Sequence, residues 1–418
     1  MSSLPVLEDL PGPAGKAVLV RADLNVPLRP TEGGSVSEIA DDFRLRASVP
    51  TIAWLARAGA RVTVCSHLGR PGGRPDPRYA MAPVAARLHQ LLVEEGGEEL
   101  AAAVTVMENL RFDPGEEANL PDFVDRLVEG QDLYVDDAFG VTHRAHASVV
   151  GPPARLPGAA GRLVAREVEV LGGLRDRAAP PFAAVLGGAK VSDKLGVVGA
   201  LLARAQVVMV GGGMCFTFLA ALGHDVGDSL VERDQVDRCR ALLDSGRRIM
   251  VPTDVVALGP GGSAGAAGPG GSGSGSGPGP GSGPRPGSGS GEVRIVGRTV
   301  PPGWRGLDIG PATAAEFAEE LAGAGTVFWN GPMGVFEDAR FAAGTAAVAR
   351  AAAECSGFTV VGGGDSAAAL ARLGLEDAVD HLSTGGGASL ELLEKGDLPG
   401  LAALRQSAGG RREERRGR

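Results

Sequence analysis

Charged and polar side chains follow each predicted strand in the first half of the chain. These short apolar strands are predicted at Ala17–Val20, Val62–Cys65, Val104–Val106 and Leu133–Val135. The groups that follow them, with one more arginine from the segment DDFR, are Asp23, Asn25, Arg44, His67, Arg70, Arg111, His143, Arg144 and His146. The carboxyl ends of parallel strands meet at one edge of an open sheet, so we expect these groups to lie together. Because arginine grips carboxylate or phosphate with two hydrogen bonds, they predict a site for a small, multiply charged anion.

Glycine-rich turns follow the predicted strands of the second half instead. The segments are LGGAK at 186–190, VGGGMCF at 210–216, NGPMG at 330–334, VGGGDS at 361–366 and STGGGAS at 383–389. A strand, two glycines and a helix start let backbone N–H groups approach a phosphate closely, and the helix N-terminus adds partial positive charge. A single such turn has a purely conformational explanation. Five of them in one half of the chain predict a bound polyphosphate.

Two lysines and two acids lie within or near these glycine turns. Only four of the 41 basic residues are lysines, and Lys190 and Lys194 are four residues apart in AKVSDK. Asp365 directly follows three glycines, and Glu337 lies in GVFED. A Mg²⁺ ion bound to nucleotide phosphates takes one carboxylate and keeps several waters, so Asp365 is a candidate ligand. Aspartate is also favoured as a helix N-cap, and the sequence leaves both roles open.

Several classes of function are disfavoured by the composition and by missing motifs. A net charge of −9 argues against general nucleic-acid binding. The four cysteines are widely spaced and form no metal-binding pattern. No G-x-x-x-x-G-K-[ST] motif is present, and no G-x-G-x-x-G motif occurs on a strand-to-helix turn. The beginning MSSLPVLEDL does not resemble a signal peptide and no apolar run is long enough to span a membrane, so we expect a cytoplasmic protein.

The hydrophobic pattern predicts an α/β fold, since short apolar runs alternate with longer helical patterns. Strands of the second half are predicted at Phe182–Leu186, Val207–Val210, Ile249–Val251, Val327–Trp329, Thr359–Val361 and Ala378–Leu382. Between the halves, apolar residues recur at helical spacing and predict one helix over Ala160–Arg177. We therefore expect two Rossmann-like lobes, 1–170 and 171–395, each a mostly parallel sheet flanked by helices, joined by an interdomain helix that acts as a hinge.

Two segments are predicted to lack a packed structure. Residues 260–291 contain almost only Gly, Ser, Pro and Ala, which offer few side chains to offset the entropy of ordering, so we predict a disordered loop. The strand-like EVRIVG that begins at Glu292 makes this loop an elongated hairpin connection. The fold tolerates it because loop-closure entropy grows slowly with length. Residues 409–418 form a charged tail.

Ten segments, in order along almost the whole chain, resemble phosphoglycerate kinase. They are VRADLNVPL, SHLGRP, ENLRF, DAFGVTHRAHAS, LGGAKVSDK, GGGMCFTFL, LDIGP, FWNGPMGVFE, GGGDS and STGGGASLE. The resemblance implies reversible transfer of a phosphoryl group from 1,3-bisphosphoglycerate to ADP, giving 3-phosphoglycerate and ATP with Mg²⁺. It also implies a monomer without nucleic-acid or membrane partners, whose segment 396–408 packs back on the first lobe.

The resemblance also implies a role for particular residues. Glycerate binding falls to Asp23, Asn25, Arg44, His67, Leu68, Gly69, Arg70, Arg111 and Arg144. The residues implied in catalysis are Arg44, Lys190 and Lys194. Nucleotide binding falls to Lys194, Gly306, Glu337, Gly363, Gly364, Asp365 and Ser366, and Asp365 is also the candidate metal ligand named above.

Two other functions remain open beside the kinase. A catalytically silent relative that binds nucleotide as a scaffold is disfavoured by the intact Arg44, Lys190 and Lys194. A nicotinamide-dependent dehydrogenase is disfavoured by the missing fingerprint and by the basic residues of the first half. The chain departs from the family pattern in its Gly/Ser/Pro insertion, in Phe43 beside Arg44, and in Asp136, where an asparagine is common.

Overall fold

A computed structural model of the chain describes residues 3–30, 37–262 and 291–416. The loop predicted over 260–291 falls almost entirely on residues 263–290, which lie outside the described residues. The fold has two compact units: one contains Met1–Gly172 together with Gly387–Arg418, and the other contains Gly173–Gly386.

The strands and helices are numbered here in chain order. The strands are β1 (Ala17–Ala22), β2 (Leu28–Pro30), β3 (Ser37–Ile39), β4 (Arg61–Cys65), β5 (Val104–Val106), β6 (Leu133–Asp137), β7 (Gly158–Ala160), β8 (Phe182–Leu186), β9 (Val207–Val210), β10 (Ile249–Met250), β11 (Asp254–Leu258), β12 (Val293–Gly297), β13 (Arg305–Ile309), β14 (Thr326–Asn330), β15 (Phe358–Gly362) and β16 (His381–Ser383). The helices are α1 (Phe43–Arg57), α2 (Ala82–Gly96), α3 (Glu98–Ala102), α4 (Pro114–Glu117), α5 (Pro121–Val128), α6 (Ala147–Val150), α7 (Arg162–Arg177), α8 (Leu195–Leu202), α9 (Cys215–Ala221), α10 (Val236–Leu243), α11 (Pro311–Ala322), α12 (Ala343–Glu354), α13 (Gly364–Leu373), α14 (Gly386–Lys395) and α15 (Pro399–Arg416).

A parallel sheet with strand order β5-β4-β1-β6-β7 forms the centre of the first unit. The central strand β1 pairs with β4 and β6, and all six of its residues are buried. Its sequence AVLVRA is nearly continuous in apolar residues, as expected for a strand that helices cover on both faces. In the strand register, Arg21 pairs with Cys65 of β4 and with Asp136 of β6. The carboxyl ends of β1, β4 and β6 therefore lie at the same edge of the sheet.

A second parallel sheet, with strand order β10-β9-β8-β14-β15-β16, forms the centre of the second unit. Strands β8 and β14 lie at its middle, and Leu186 is level with Asn330 at their carboxyl ends. A separate antiparallel sheet contains β12, β11 and β13, so the strand predicted after Glu292 forms a hairpin with β11. The two parallel sheets and their flanking helices confirm the predicted α/β class with two Rossmann-like lobes.

Several predicted boundaries differ from the structure, and five strands were not predicted: β2, β3, β7, β11 and β13. The strand predicted at Ala378–Leu382 begins only at His381, because the Asp380 carboxylate accepts hydrogen bonds from the backbone and hydroxyl of Thr359 before the ladder starts. Helix α7 begins at Arg162 because Ala160 still belongs to β7. Strand β7 has the sequence GAA, which carries no β-branched or aromatic residue to signal a strand.

Helix α7 contains the boundary between the two compact units, at Gly172 and Gly173. Its first turn is held by a buried carboxylate at the end of β6. Asp137 Oδ1 accepts hydrogen bonds from the backbone N–H groups of Leu163 and Val164, at 2.9 and 3.3 Å. These contacts satisfy donors that have no partner inside the helix. Burial raises the pKa of Asp137 to about 7.

The C-terminal helix α15 belongs to the first unit. Gly400 N donates to the Thr142 carbonyl at 2.9 Å, and the side chains of Leu401 and Leu404 are fully buried. Gly158 in β7 allows this helix to pack closely on the strand, because a Cβ at position 158 would lie only 3.3 Å from Leu404 Cδ2. In the part of the chain that the structure describes, no helix is long and apolar enough to cross a membrane.

The neighbouring carboxyl group of Asp136 leads to a testable prediction about stability. Oδ1 accepts from Ala138 N at 3.0 Å, whereas Oδ2 is buried without a hydrogen-bond partner among the described residues. Burial raises the pKa of Asp136 from 3.8 to about 6. At pH values between 3.8 and about 6, Asp136 is therefore protonated in the folded chain and ionised in the unfolded chain. Stability contributed by this group falls as the pH rises through this window and stays lower above it.

We expect Asp136→Asn to stabilise the protein at pH 8, by an amount of the order of 2 kcal/mol, because the neutral amide keeps the bond to Ala138 without burying a charge. At pH 4 the carboxyl group is protonated and the substitution should have little effect. Thermal unfolding of both proteins at the two pH values measures the difference. Equal changes in melting temperature at both pH values would contradict this account.

Candidate active site

The loops that follow β1 and β4 are tied together by predicted site residues. Asn25 Oδ1 accepts a hydrogen bond from Gly69 N at 2.8 Å. The buried Asp23 carboxylate accepts from Arg44 Nη1 at 3.0 Å, and the same nitrogen donates to the Asn25 carbonyl at 3.1 Å. Arg44 lies in the first turn of α1, so these bonds join the start of α1 to the end of β1. Four of the predicted residues are thereby brought together at one sheet edge.

His67 is buried beside an arginine that the sequence analysis did not select. Its Nδ1 lies 3.2 Å from Arg21 Nη2. Because a guanidinium can only donate, Nδ1 must accept, and the ring carries its proton on Nε2. Burial, followed by the charges of Arg21 and Arg111, holds the pKa of His67 well below its usual value. His67 is therefore a neutral hydrogen-bond donor at pH 7 and adds no positive charge to the site.

The other two histidines near this edge are also neutral at pH 7. Burial lowers the pKa of His146 to about 4, and it lowers the pKa of His143 as well. Nearby arginine charges, including that of Arg144, act in the same direction. The positive charge that we expected from arginine and histidine together is therefore carried by the arginines.

Of the four predicted arginines, Arg44 pairs with Asp23, Arg111 is buried, and the other two are exposed. Arg111 is buried, donates to the Gly69 carbonyl at 2.8 Å, and has Nε 3.1 Å from Glu117 Oε1. Arg70 and Arg144 have exposed side chains without a hydrogen-bond partner among the described residues. A guanidinium that has no protein partner keeps its full fork of donors for a ligand. Arg70 and Arg144 thus provide free cationic donors in this unit.

The turn at Leu68 and Gly69 is shaped by a residue that was missed. Asn109 Oδ1 accepts from Leu68 N at 3.2 Å, and its Nδ2 donates to the Leu68 and Tyr79 carbonyls. Gly69 has a φ of 59°, and a Cβ there would lie 2.2 Å from the Tyr79 ring, so only glycine fits. The position of Asn109 in ENLRF, three residues after the end of a predicted strand, was the available signal.

A buried polar network holds Arg21 in place. Arg21 Nε donates to Ser148 Oγ at 2.9 Å, and that hydroxyl donates to Glu116 Oε1 at 2.6 Å. Glu116 Oε2 also accepts from Ser148 N at 2.9 Å, and all three side chains are buried. A charged residue inside the apolar strand AVLVRA was the sequence signal for this network. The network orients Arg21, which in turn sets the proton position on His67.

In the second unit, the glycine turns pack backbone against backbone. A Cβ on Gly187 would lie 2.1 Å from the Pro332 carbonyl oxygen, and a Cβ on Gly212 would lie 2.6 Å from Gly188 N. A Cβ on Gly386 would lie 2.5 Å from the Cα of Gly363. These turns follow β8, β9, β14, β15 and β16, so the glycines allow five strand ends to converge. The result is a group of closely packed glycine turns at one edge of the sheet.

The two lysines of AKVSDK have different surroundings. Lys194 Nζ donates to Asn330 Oδ1 at 2.7 Å and to the Asn330 carbonyl at 3.1 Å. Burial lowers the pKa of Lys194 to about 8, although the charges of Asp365 and Asp193 act to raise it. Lys190 is exposed, and its side chain has no polar partner within the described ranges. Lys194 is therefore anchored, whereas Lys190 is free to meet a ligand.

Helix α13 begins beside these turns, and its start bears on the role of Asp365. Gly363, with a φ of 99°, occupies the N-cap position, so Asp365 lies inside the first turn and is not the N-cap. Its carboxylate is exposed without a hydrogen-bond partner in the described part of the chain. Ser366 is buried and its hydroxyl accepts from Gly331 N at 2.7 Å, which joins this turn to the one after β14.

The residues present fit a magnesium ion that a nucleotide brings with it. Within residues 3–30, 37–262 and 291–416, no group of three His, Cys, Asp or Glu side chains is arranged to hold a metal ion. A magnesium ion that keeps its waters and its phosphate ligands needs only one or two carboxylates. The unpaired carboxylate of Asp365 therefore matches the requirement of a nucleotide-bound ion, and does not match a metal site built from protein ligands alone.

The last two predicted nucleotide contacts lie on other elements of the second unit. Gly306 is in β13, where a Cβ would lie 2.1 Å from the Phe216 ring, and its N–H donates to Ser229 Oγ at 2.9 Å. Glu337 follows the turn after β14 and has an exposed side chain. Gly364 is the first residue of α13. Glycine at 306 thus lets an aromatic ring lie directly on the strand.

Each unit carries, at one edge of its parallel sheet, groups that are suited to binding phosphate. One sheet edge carries arginines with unpaired guanidinium groups, and the other carries glycine turns with an unpaired lysine and an unpaired carboxylate. Phosphoryl transfer needs these components, because it depends on positioning and on charge stabilisation and requires little covalent chemistry from the protein. The fold and the site residues define the chain as a phosphotransferase of the α/β class.

The chain belongs to the phosphoglycerate kinase family, whose model matches residues 7–396. It is 53% identical over 416 residues to a phosphoglycerate kinase of Frankia alni, covering 94% of this chain and 97% of that protein. A phosphoglycerate kinase of Salinispora arenicola is 52% identical over 411 residues, covering 93% and 96%.

Solved structures agree with this assignment. The phosphoglycerate kinase of Pyrococcus horikoshii matches with a TM-score of 0.78 and 30% identity, covering 97% of this chain and 100% of that one. The enzyme from Coxiella burnetii matches with a TM-score of 0.77 and 32% identity, covering 97% and 99%. The family predicted from the ten sequence segments is therefore confirmed.

Proposed function

We propose that the protein reversibly transfers the acyl phosphate of 1,3-bisphosphoglycerate to ADP, giving 3-phosphoglycerate and ATP as a step of glycolysis. The observation that carries this proposal is the pair of unpartnered cationic groups: exposed arginines on one sheet edge and Lys190 beside a glycine-built surface on another. The family match and the intact lysines favour this enzyme over a catalytically silent scaffold.

The glycerate is proposed to bind at the sheet edge of the first unit. Asp23 and Asn25 would take its hydroxyl and carboxylate ends, and His67 would donate from Nε2. The free guanidinium groups of Arg70 and Arg144 would hold its phosphate, since each offers two parallel hydrogen bonds. Leu68, Gly69 and Arg111 would shape the same pocket, and the Asp23–Arg44 ion pair would place Arg44 near the transferring group.

The nucleotide is proposed to bind at the glycine turns of the second unit. Backbone N–H groups at the helix starts would contact its phosphates together with Lys194. The further nucleotide contacts proposed are Gly306, Glu337, Gly363, Gly364, Asp365 and Ser366, with Glu337 near the ribose. Asp365 would hold the magnesium ion, which when bound neutralises charge on the phosphate oxygens. Lys190 would accompany the phosphoryl group as it moves, stabilising the charge on its oxygens in the transition state.

Three further properties follow from the proposed reaction. We propose that α7 acts as a hinge, since it contains the boundary between the compact units and since both an acyl phosphate and ATP must be protected from water during transfer. A cytoplasmic location is supported by four free cysteines, because disulfides persist mainly in oxidising compartments. We propose a monomer, because the site components assigned here come from one chain.

The activity is tested by coupling purified protein, 3-phosphoglycerate and MgATP to consumption of the acyl phosphate product. We expect turnover that requires all three components. Binding of ADP without turnover would support the scaffold instead. Failure to bind ADP at all would remove the basis for both. A titration with NAD tests the dehydrogenase alternative, which predicts saturable binding.

Replacing Asp365 with asparagine tests the proposed metal ligand. The side chain has the same shape, and Gly363 remains the N-cap, so the start of α13 should be preserved. We expect the magnesium concentration for half-maximal activity to rise about tenfold, as removal of a metal-orienting group commonly causes. Activity measured against magnesium at constant nucleotide gives this value, with Asp193→Asn as a matched control. An unchanged magnesium requirement would exclude Asp365 as a ligand.

A further inference from the structure

The backbone that follows Lys190 is held by a carboxylate from a distant part of the chain. Glu232 Oε2 accepts hydrogen bonds from Val191 N at 2.5 Å and from Ser192 N at 2.9 Å. Glu232 Oε1 accepts from Ser192 Oγ at 2.6 Å. The two segments are 40 residues apart, so the contact is tertiary. One side chain therefore satisfies three donors in the two residues directly after Lys190.

Glu232 is itself attached to a rigid element. Its N–H donates to Thr217 Oγ1 at 3.2 Å, and Thr217 is a buried residue of α9. Helix α9 follows the GGGMCF turn, in which Met214 N donates to the Gly188 carbonyl at 3.0 Å. Glu232 thus connects α9 to the residues that follow Lys190, and the separate bond of Met214 connects the turn before α9 to Gly188, which precedes Lys190.

The carboxylate is charged when it makes these bonds. Burial acts to raise the pKa of Glu232, but the hydrogen bonds from Ser192 and Val191 outweigh it and keep the pKa below 4.5. Hydrogen bonds to an ionised acceptor are stronger than those between neutral groups. The loop is thereby fixed at residues 191 and 192, while the side chain of Lys190 has no polar partner among the described residues to fix it.

We propose that Glu232 is a positioning residue for Lys190 in phosphoryl transfer. Lys194 is anchored independently through Asn330, so the effect of Glu232 falls mainly on Lys190. Lys190 can stabilise the moving phosphoryl group only if the backbone that carries it is held in position. A displacement of about 1 Å is enough to weaken the effect of a catalytic group. This inference rests on the proposed role of Lys190 in the kinase reaction.

A double-mutant cycle with Lys190 tests the proposal. We expect Glu232→Ala to lower the turnover number about tenfold while the KM for ADP changes less than about threefold. In the Lys190→Ala background, the same substitution should cause no further loss, because the lysine that it positions is gone. Glu232→Gln should recover most of the activity, since its amide oxygen can accept from both backbone groups and its amide nitrogen can donate to Ser192.

The controls separate positioning from general stability. Ser192→Ala removes one of the three bonds and should cause a small loss of about two- to threefold, even if Glu232→Ala folds poorly. Glu320→Ala removes a surface ion pair with Arg248 and should leave turnover unchanged. Melting temperatures of all variants show whether a loss of activity reflects unfolding.

Two results would overturn the inference. Wild-type turnover in Glu232→Ala would remove the role of Glu232 while leaving the kinase intact. Losses that multiply in the double variant would show that Glu232 acts independently of Lys190. If Lys190→Ala kept full turnover, the proposed role of Lys190 in phosphoryl transfer would be wrong. The single variant shows this by itself, so this failure is distinguished from a failure of the role of Glu232.

Discussion

Lys190→Ala is expected to lower the turnover number about a thousandfold while the KM values for both substrates change less than about threefold. The side chain is exposed and has no polar partner in the described structure, so its removal breaks no native contact. Its proposed interaction is with charge on the moving phosphoryl group, which is greatest in the transition state. An interaction made only in the transition state affects turnover and leaves ground-state binding nearly unchanged.

Steady-state kinetics in the direction of ATP consumption measure this effect. Lys16→Ala is a matched control, because Lys16 precedes β1 and so lies at the amino end of its sheet, opposite the site. Lys190→Arg should retain only part of the activity, since a guanidinium differs from an ammonium in shape and hydration. A turnover number equal to that of the wild type in Lys190→Ala would refute the assignment.

Gly212→Ala is expected to weaken ADP binding at least tenfold and to lower stability. Gly212 has a φ of 63°, a conformation that costs alanine about 1 kcal/mol. The added Cβ would also lie 2.6 Å from Gly188 N and 2.8 Å from the Pro332 carbonyl oxygen. Both atoms are backbone, so neither can rotate away, and the turns proposed to bind phosphate must separate. Overpacking of this kind costs a further ~1–3 kcal/mol.

Gly223→Ala serves as a control that separates the conformational cost of a positive φ from the cost of a steric clash. Gly223 has a φ of 89°, yet no atom lies within 4 Å of the position where its Cβ would be. This variant should lose the conformational term of stability alone and bind ADP as the wild type does. Calorimetric titration with ADP and thermal unfolding distinguish the two variants. Equal ADP affinity in both would contradict the proposed role of the converging glycine turns.

Local sequence patterns were sufficient to predict the fold class and most of the strands. Apolar runs such as VLV in β1 and FAAVL in β8 are buried on both faces, and that environment leaves a direct record in the sequence. The family followed from ten ordered segments and is confirmed by the comparisons. Strand β7 was missed because three small residues pair with β6 only when that strand is already in place.

The parts of the site that depend on contacts between distant segments were not predictable. The protonation of His67 depends on Arg21, which lies 46 residues away. The sequence leaves Asp365 open as a metal ligand or as a helix N-cap, and the structure excludes the second role because Gly363 occupies the N-cap position. Glu232 carried no signal at all, because an acidic residue in an exposed-looking loop is common and its three partners lie about 40 residues earlier in the chain.

The sequence by itself determined which residue types follow which strands: arginines in the first half, glycines and lysines in the second. This pattern of residue types is a local property of the sequence, since a strand end and the turn after it are contiguous in the chain. The tertiary structure alone decided which of these groups are neutral, which are paired, and which remain free for a ligand. Charge state and hydrogen bonding depend on burial and on partners far apart in sequence, and only folding brings those partners into contact.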